Sequence, residues 1–510
     1  MNLASLLAAT ARVHRLRPAV LDPEGSFTWG EFAERIRRAG ALLAARGVRP
    51  GDRYALVMRN SFRAAELIWA GHWTGAVPVP VNWRLAAPEV AAIVADAGCR
   101  AILLDAEFVP LLEHPGLATW RDRAVVAGAG GGLPEYDRLL AAAAPAPMRE
   151  AREDDEAIVL YTGGTTGRSK GVRLSHRNLV ANALQTGLAL GIRADDVTLN
   201  VAPMFHAAGL CCNITTLLGG AHVFLKAFTP KDMLAAIERY RVNYTVAVPA
   251  MLKAIADEPE AGRYDTSALR VMFYGSSPMP VDWMRRSMAL FPNTAFHQAY
   301  GLTETAPILT ILSDADHRRS LASGDLGPLA SAGKPLVGVE LRIVGDDGSE
   351  VPHGLAGEIV VRAPGVMLGY HDRPQETAEA LVDGWFRTGD VGRMDDEGRL
   401  YILDRKKDMV ITGGENVYSI EVEAALARHP DVAEVAVVGM PDDRLGEALL
   451  AIVAPRPGAA PTTEALVAHC RGLIGGFKIP RRFVFVPALP RSAVGKVLKG
   501  ELRRAHAAAK

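Results

Sequence analysis

The sequence predicts an α/β protein: a large N-terminal domain of layered βα subdomains with a β-rich part, followed by a small α+β domain. Three observations carry this expectation. Short β-branched and apolar runs alternate with amphipathic helical stretches through the first three-fifths of the chain, the pattern of parallel strands joined by crossover helices. From Gly357-Glu358-Ile359-Val360-Val361 onward the pattern becomes richer in strands. Beyond Asp404, strand-like runs at Val435 to Val438 and Leu449 to Val453 enclose one helical segment, Ser419 to His429. We therefore expect domains at 1–403 and 404–510.

Composition narrows the functional classes. The 510 residues are 49% hydrophobic and 22% charged, an ordinary globular balance with room for roughly three domain-sized units. The 57 basic and 57 acidic residues cancel, so no global field draws nucleic acid or an anionic membrane. Cys99, Cys211, Cys212 and Cys470 show no CxxC spacing and read as reduced core thiols. Residues Met1 to Pro18 lack a basic segment ahead of their apolar part, and no apolar run approaches the ~18 residues of a membrane span. The expected location is the cytoplasm.

Taken in order, Met1 to Pro18 reads as a helix, and Phe27-Thr28-Trp29-Gly30-Glu31-Phe32 leads into a long amphipathic helix ending near Gly47. Asp52 to Met58 and Ala76 to Val81 read as strands. Gly128-Ala129-Gly130-Gly131-Gly132 superficially matches a dinucleotide loop, but Pro134 interrupts any following helix, so it reads as a surface turn. Ala141 to Met148 and the acidic Glu150 to Glu156 read as a connector.

The most informative stretch comes next. Ala157-Ile158-Val159-Leu160 reads as a buried strand, and it opens into Tyr161-Thr162-Gly163-Gly164-Thr165-Thr166-Gly167-Arg168-Ser169-Lys170. Ser175 then caps a helix running to Leu190. Gly163, Gly164 and Gly167 let backbone N–H groups converge on an anion. Thr162, Thr165, Thr166 and Ser169 add hydroxyl donors, and Lys170, the first lysine of the chain, adds a full charge. A Walker A loop needs Gly-Lys-Ser/Thr, whereas Lys170 is preceded by Ser169 and followed by Gly171. The stretch is expected to hold phosphate.

Further βα units continue the layer. Val197 to Ala202, Asn243 to Val248 and Leu269 to Tyr274 read as strands, and Thr229-Pro230 opens a helix with cap and proline in their preferred places. Strand ends lead into Pro203-Met204-Phe205-His206-Ala207-Ala208-Gly209, Gly275-Ser276-Ser277-Pro278, and Tyr300-Gly301-Leu302-Thr303-Glu304-Thr305. Such loops suit the crevice at which open α/β sheets bind ligands.

On these loops, with Gly384-Trp385-Phe386-Arg387-Thr388-Gly389-Asp390, Asp404-Arg405-Lys406-Lys407-Asp408 and Pro490-Arg491-Ser492-Ala493-Val494-Gly495-Lys496, the chain resembles the adenylate-forming superfamily of acyl-CoA synthetases, adenylation domains and firefly-type luciferases. It looks most like bacterial AMP-forming fatty-acyl-CoA synthetases. The resemblance implies that the 162–170 loop, Gly275, Ser276, Ser277, Tyr300, Gly301, Asp390 and Arg405 bind ATP or AMP. It implies that Thr303 contacts phosphate, Glu304 holds Mg²⁺, His206 gates the acyl pocket and Lys496 is the adenylation lysine. It further implies a small mobile C-terminal domain pivoting near Lys407, with Gly413 and Gly414 lining the CoA tunnel.

The activity implied by the resemblance is that of a ligase with ATP, Mg²⁺ and CoA. A carboxylate attacks the α-phosphorus, and Lys496 and the Glu304-held ion offset the opposing charge. The domain turns, and the CoA thiol then takes the acyl group. The expected acid is a medium- or long-chain fatty acid, with aryl acids such as coumarate or benzoate as the alternative and a homodimer possible as in some relatives. Amino-acid adenylation would want a carboxylate for the substrate ammonium, and Phe205 to Asn213 contains none. A luciferase-like oxygenase shares the first half-reaction. A silent nucleotide-binding protein would have lost Thr303, Glu304, Asp390, Arg405 and Lys496, all of which are in place.

Overall fold

Nine strands form the largest sheet of the computed structural model, which describes residues 1–129, 132–162, 169–413, 415–442, 444–491 and 497–507. Packing divides the chain into two compact units, Met1–Glu340 with Val361–Phe386, and Leu341–Val360 with Arg387–Lys510. The first unit is therefore discontinuous in sequence.

The nine-stranded sheet belongs to the first unit. Its order is Lys334–Pro335, Ile308–Leu312, Ala295–Gly301, Val271–Gly275, Tyr244–Ala247, Val197–Asn200, Ala221–Phe224, Pro18–Asp22 and Gly25–Thr28. The six strands from Ala295–Gly301 to Pro18–Asp22 are mutually parallel. Helices on both faces bury them, which is why Tyr244–Ala247 and Ala221–Phe224 are buried throughout instead of alternating. A second, all-parallel sheet runs Val77–Pro80, Arg53–Val57, Ile102–Asp105, Ala124–Ala127. Pro78 and Pro80 are tolerated because their strand forms its edge.

The capping residues start helices where the sequence predicts them. Trp29–Ala45 starts in a capping box between Thr28 and Glu31, and Pro230–Tyr240 is capped by Thr229. His176–Leu190 starts in the reciprocal pair Ser175 and Asn178 and stops at Gly191, whose φ of 62° suits glycine.

One local expectation needs correction. The glycine- and hydroxyl-rich loop does not join a strand to a helix. It joins Glu156–Thr162 to a second, antiparallel strand, Lys170–Ser175, and only then does the helix begin. The cause is visible in Gly171-Val172-Arg173-Leu174, where Val172 and Leu174 are fully buried on either side of a part-exposed Arg173. Gly369–Tyr370 adds a third strand to this hairpin.

In a further sheet Trp385–Met394 pairs with Leu400–Arg405, and Glu340–Val344 and Gly357–Arg362 extend it. A C-terminal sheet runs Glu415–Val417, Val410–Thr412, Gly446–Pro455, Val432–Asp442, with Arg482–Phe485 parallel to Gly446–Pro455. Ser419–Leu426 and Thr463–Arg471 cover it, burying Val422, Leu426, Leu466 and Cys470 against Val437, Ala451 and Val453. All four cysteines are buried and free. Among the described residues no helix is long and apolar enough to cross a membrane.

Candidate active site

Because strands of the main sheet run parallel, their C-terminal ends, and the loops they feed, lie along one edge. Gly275 pairs in register with Ala299, the residue before Tyr300, so the Gly275–Ser277 loop and the Tyr300–Thr305 turn are neighbours. A Cβ at Gly275 would lie 2.6 Å from the Ala299 carbonyl oxygen, which only glycine permits. Ser276 has φ 74°, a left-handed conformation rare outside glycine and enriched at ligand-binding turns. Beneath this loop the Tyr274 hydroxyl lies 2.6 Å from His317 Nε2, while His317 Nδ1 lies 2.7 Å from the Ser313 carbonyl. A carbonyl can only accept, so Nδ1 carries the proton and Nε2 takes the phenol's. Burial favours this neutral ring by lowering the His317 pKa.

The Tyr300–Thr305 turn is held from several directions. A Cβ at Gly301 would stand 1.8 Å from the Pro307 carbonyl oxygen, so the chain doubles back at van der Waals contact. Thr305 Oγ1 donates within this fold-back and accepts from Leu302 N–H at 3.1 Å. Asn182, on the helix His176–Leu190, donates to the Ile308 carbonyl at 2.7 Å and accepts from its N–H at 3.2 Å. One helical turn earlier, Asn178 donates to the carbonyls of Pro364 and Val366 at 2.7 and 2.8 Å. One helix face thus fastens two segments that bound the turn.

Glu304 is gripped at both ends. Its carbonyl accepts from Met367 N–H at 2.9 Å, and its carboxylate Oε1 accepts from the Tyr370 hydroxyl at 3.0 Å. The Lys170 ammonium lies 5.1 Å from the centroid of the same Tyr370 ring. Lys170 also pairs in register with Thr162 at the base of the hairpin. The structure therefore brings Lys170 and Glu304 together on Tyr370, a residue that the sequence reading does not single out, with Thr162 beside Lys170. Gly163, Gly164, Thr165, Thr166 and Gly167 lie outside the described residues. Among the described residues no group of three or more His, Cys, Asp or Glu side chains forms a metal cage. A single carboxylate, Glu304, with a lysine nearby on the same tyrosine fits Mg²⁺, which keeps its waters and takes most other ligands from substrate phosphates.

His206 caps the short helix Ala207–Cys212, its Nδ1 accepting from Ala208 N–H at 3.3 Å. Asn60, equally silent in the sequence, pins this loop: it donates to the carbonyls of Asn200 and Ala202 and accepts from Met204 N–H at 2.9 Å. Behind Ala208 lies a packed cluster containing Cys211, Tyr244, Val246, Phe273 and Ile308. Tyr244 donates from its hydroxyl to the Cys211 carbonyl at 3.2 Å.

In the second unit, Asp390 and Arg405 face each other across paired strands, and Arg405 Nε lies 2.7 Å from Asp390 Oδ1. Lys407 is exposed, and the desolvation it does undergo lowers its pKa. Gly413 has φ 60° and donates its N–H to the Leu445 carbonyl at 2.9 Å. Asp404 Oδ2 accepts from the Ser419 hydroxyl at 2.7 Å, and Lys499 reaches Glu423 at 2.7 Å. Gly414 and Lys496 lie outside the described residues.

Comparison with known proteins bears on this arrangement. A family model described as AMP-binding enzyme matches residues 7–371, and one described as AMP-binding enzyme C-terminal domain matches 421–496. The chain is 38% identical over 505 residues to a feruloyl-CoA synthase of Amycolatopsis sp, covering 99% of both chains. It is 34% identical over 518 residues to the long-chain-fatty-acid–CoA ligase FadD13 of Mycobacterium tuberculosis, again covering 99% of each. Among solved structures it is similar to the amide bond synthetase McbA from Marinactinospora thermotolerans, with a TM-score of 0.88 and 31% identity over 99% of this chain and 100% of that one.

Proposed function

The chain belongs to the AMP-binding enzyme family, and on that premise we propose that it is an AMP-forming carboxylic acid–CoA ligase. The observation that carries the reading is that Lys170, paired in register with Thr162, and Glu304 both meet Tyr370. A cation held at the face of one ring and a carboxylate at its hydroxyl suit a polyphosphate with its counter-ion. Relatives named as CoA ligases over nearly the full chain supply the direction.

In this reading ATP enters with its adenosine against Gly275–Ser277, Tyr300 and Gly301 and its phosphates toward Thr162, Lys170 and Thr303. The acid's carboxylate oxygen attacks the α-phosphorus, and the bond to pyrophosphate breaks. A magnesium ion at Glu304 would supply charge that offsets the two anions. Lys170 bears on the leaving pyrophosphate and Lys496 on the pentavalent phosphorus, so electrostatics and positioning dominate. The CoA thiol then attacks the acyl carbonyl carbon, loses its proton and expels AMP. Asp390 and Arg405 hold the ribose, Gly413 and Gly414 line the thiol's approach, and a functional boundary at Asp404 with a pivot near Lys407 lets Lys496 withdraw before the second step.

The acid is either a medium- or long-chain fatty acid or an aryl acid, and the higher identity to a relative named feruloyl-CoA synthase, 38% against 34% for the fatty-acid ligase, supports the second. With His206 at the mouth, Ala207, Ala208 and Gly209 leave room beside the ring. The test is mass-spectrometric detection of acyl-CoA from Mg·ATP, CoA and a panel from acetate to palmitate with benzoate, coumarate and ferulate. Thioester from the ring-bearing acids alone is the expected result, and thioester from palmitate alone overturns the aryl reading. Adenylate without thioester would mean a different acceptor, such as an amine, and no adenylate would overturn the ligase itself.

A further inference from the structure

Resting on the reading in which Glu304 holds the divalent ion and Lys170 the phosphates, we infer that Tyr370 is a positioning residue that sets both groups at once. Its phenol has one proton, and that proton goes to Glu304 Oε1. A carboxylate fixed through one oxygen presents the other in a defined direction, which a cation with strict octahedral demands requires. The face of the same ring lies under the Lys170 ammonium, and the negative quadrupole of that face steers the lysine without neutralising it.

The backbone around Tyr370 is unusually constrained, so the side chain starts from a fixed point. Gly369 and Tyr370 pair with Arg173 and Val172, and the flanking N–H groups of Leu368 and His371 donate to the carbonyls of Arg173 and Gly171. Tyr370 N–H donates to Thr377 Oγ1 at 2.9 Å. Gly369 has φ 136°, and a Cβ there would stand 2.6 Å from Thr377 Cγ2, so this approach to the helix Pro374–Ala380 requires glycine. Met367 in the same segment holds the Glu304 carbonyl. One short segment, 367–371, therefore sets the main chain and the side chain of Glu304 and the phosphate-side lysine together.

The test separates hydroxyl from ring. Tyr370→Phe keeps the ring under Lys170 and removes the donor to Glu304, whereas Tyr370→Leu removes both. Binding of Mn²⁺ to the enzyme·ATP complex, followed by electron spin resonance, reports the carboxylate independently of turnover. Pyrophosphate product inhibition reports the lysine. Tyr370→Phe should weaken Mn²⁺ binding about 10-fold with an unchanged melting temperature, the usual loss for a hydrogen bond to a charged group. Tyr370→Leu should add an about 10-fold rise in the pyrophosphate inhibition constant, which Tyr370→Phe leaves alone. Wild-type Mn²⁺ affinity in Tyr370→Phe, with weakened affinity in Glu304→Gln, overturns the Tyr370 role and spares the metal reading. Wild-type affinity in Glu304→Gln as well removes the metal reading and the inference with it.

Discussion

Arg405 Nε stands 2.7 Å from Asp390 Oδ1, and Asp390 is only 2% exposed while the Arg405 side chain is 43% exposed. Two residues expected to meet a nucleotide separately are thus each other's partners across paired strands. A carboxylate this deep needs its cation. Arg405→Gln should cost about 2 kcal/mol, less than the loss of a fully buried partner because water reaches the arginine. Adding Asp390→Asn should return most of that stability, since no uncompensated charge is then left. Denaturant unfolding of both single variants and the double variant checks this; a double variant as weak as Arg405→Gln alone would contradict it.

Gly301 separates binding from fold. A methyl group there meets the Pro307 carbonyl at 1.8 Å, so Gly301→Ala must push the Thr303–Glu304 turn outward. A displacement of about 1 Å at reacting groups costs on the order of 10² in rate. The adenylate-forming rate should fall by that factor, while thiolysis of a supplied acyl-adenylate changes far less. Equal losses in both would place the damage elsewhere.

Acid should destabilise the protein through its buried histidines. His222 accepts at Nδ1 from the Asn200 amide at 3.2 Å and contacts Thr216 Oγ1 through Nε2 at 2.9 Å, and burial lowers its pKa to about 4. The unfolded chain binds this proton near pH 6.5, the folded chain only near 4. Stability is therefore whole above 6.5 and declines as pH falls toward 4. At about pH 5.5 this one ring costs about 1 kcal/mol. Comparing urea midpoints at about pH 7.5 and 5.5 for wild type and His222→Gln should show the smaller decline in the variant. Parallel declines would exclude His222 as a source.

Much of the first unit was legible because its signals are local. Thr28, Ser175 and Thr229 announce helix starts within four residues, and the parallel strands announce themselves as apolar runs. What escaped depends on partners distant in sequence. Nothing near Tyr370 indicates a hydrogen bond to Glu304, and nothing near Asn178 or Asn182 marks them as fasteners of residues more than a hundred positions away. The second strand of the glycine-rich hairpin was readable in Val172 and Leu174 but was overshadowed by the stronger cap at Ser175.

The discontinuity of the first unit fixes an order of manufacture. A ribosome releases Lys170 and Glu304 well before Tyr370, and between them the chain has already contributed residues 341–360 to the other unit. A nascent chain arrested at residue 340 would display its nine-stranded sheet yet lack the third strand of the hairpin and the hydroxyl on Glu304. The end of the molecule proposed to handle phosphate is thus finished late, after its main sheet is already in existence, and no fragment ending before residue 371 contains it whole.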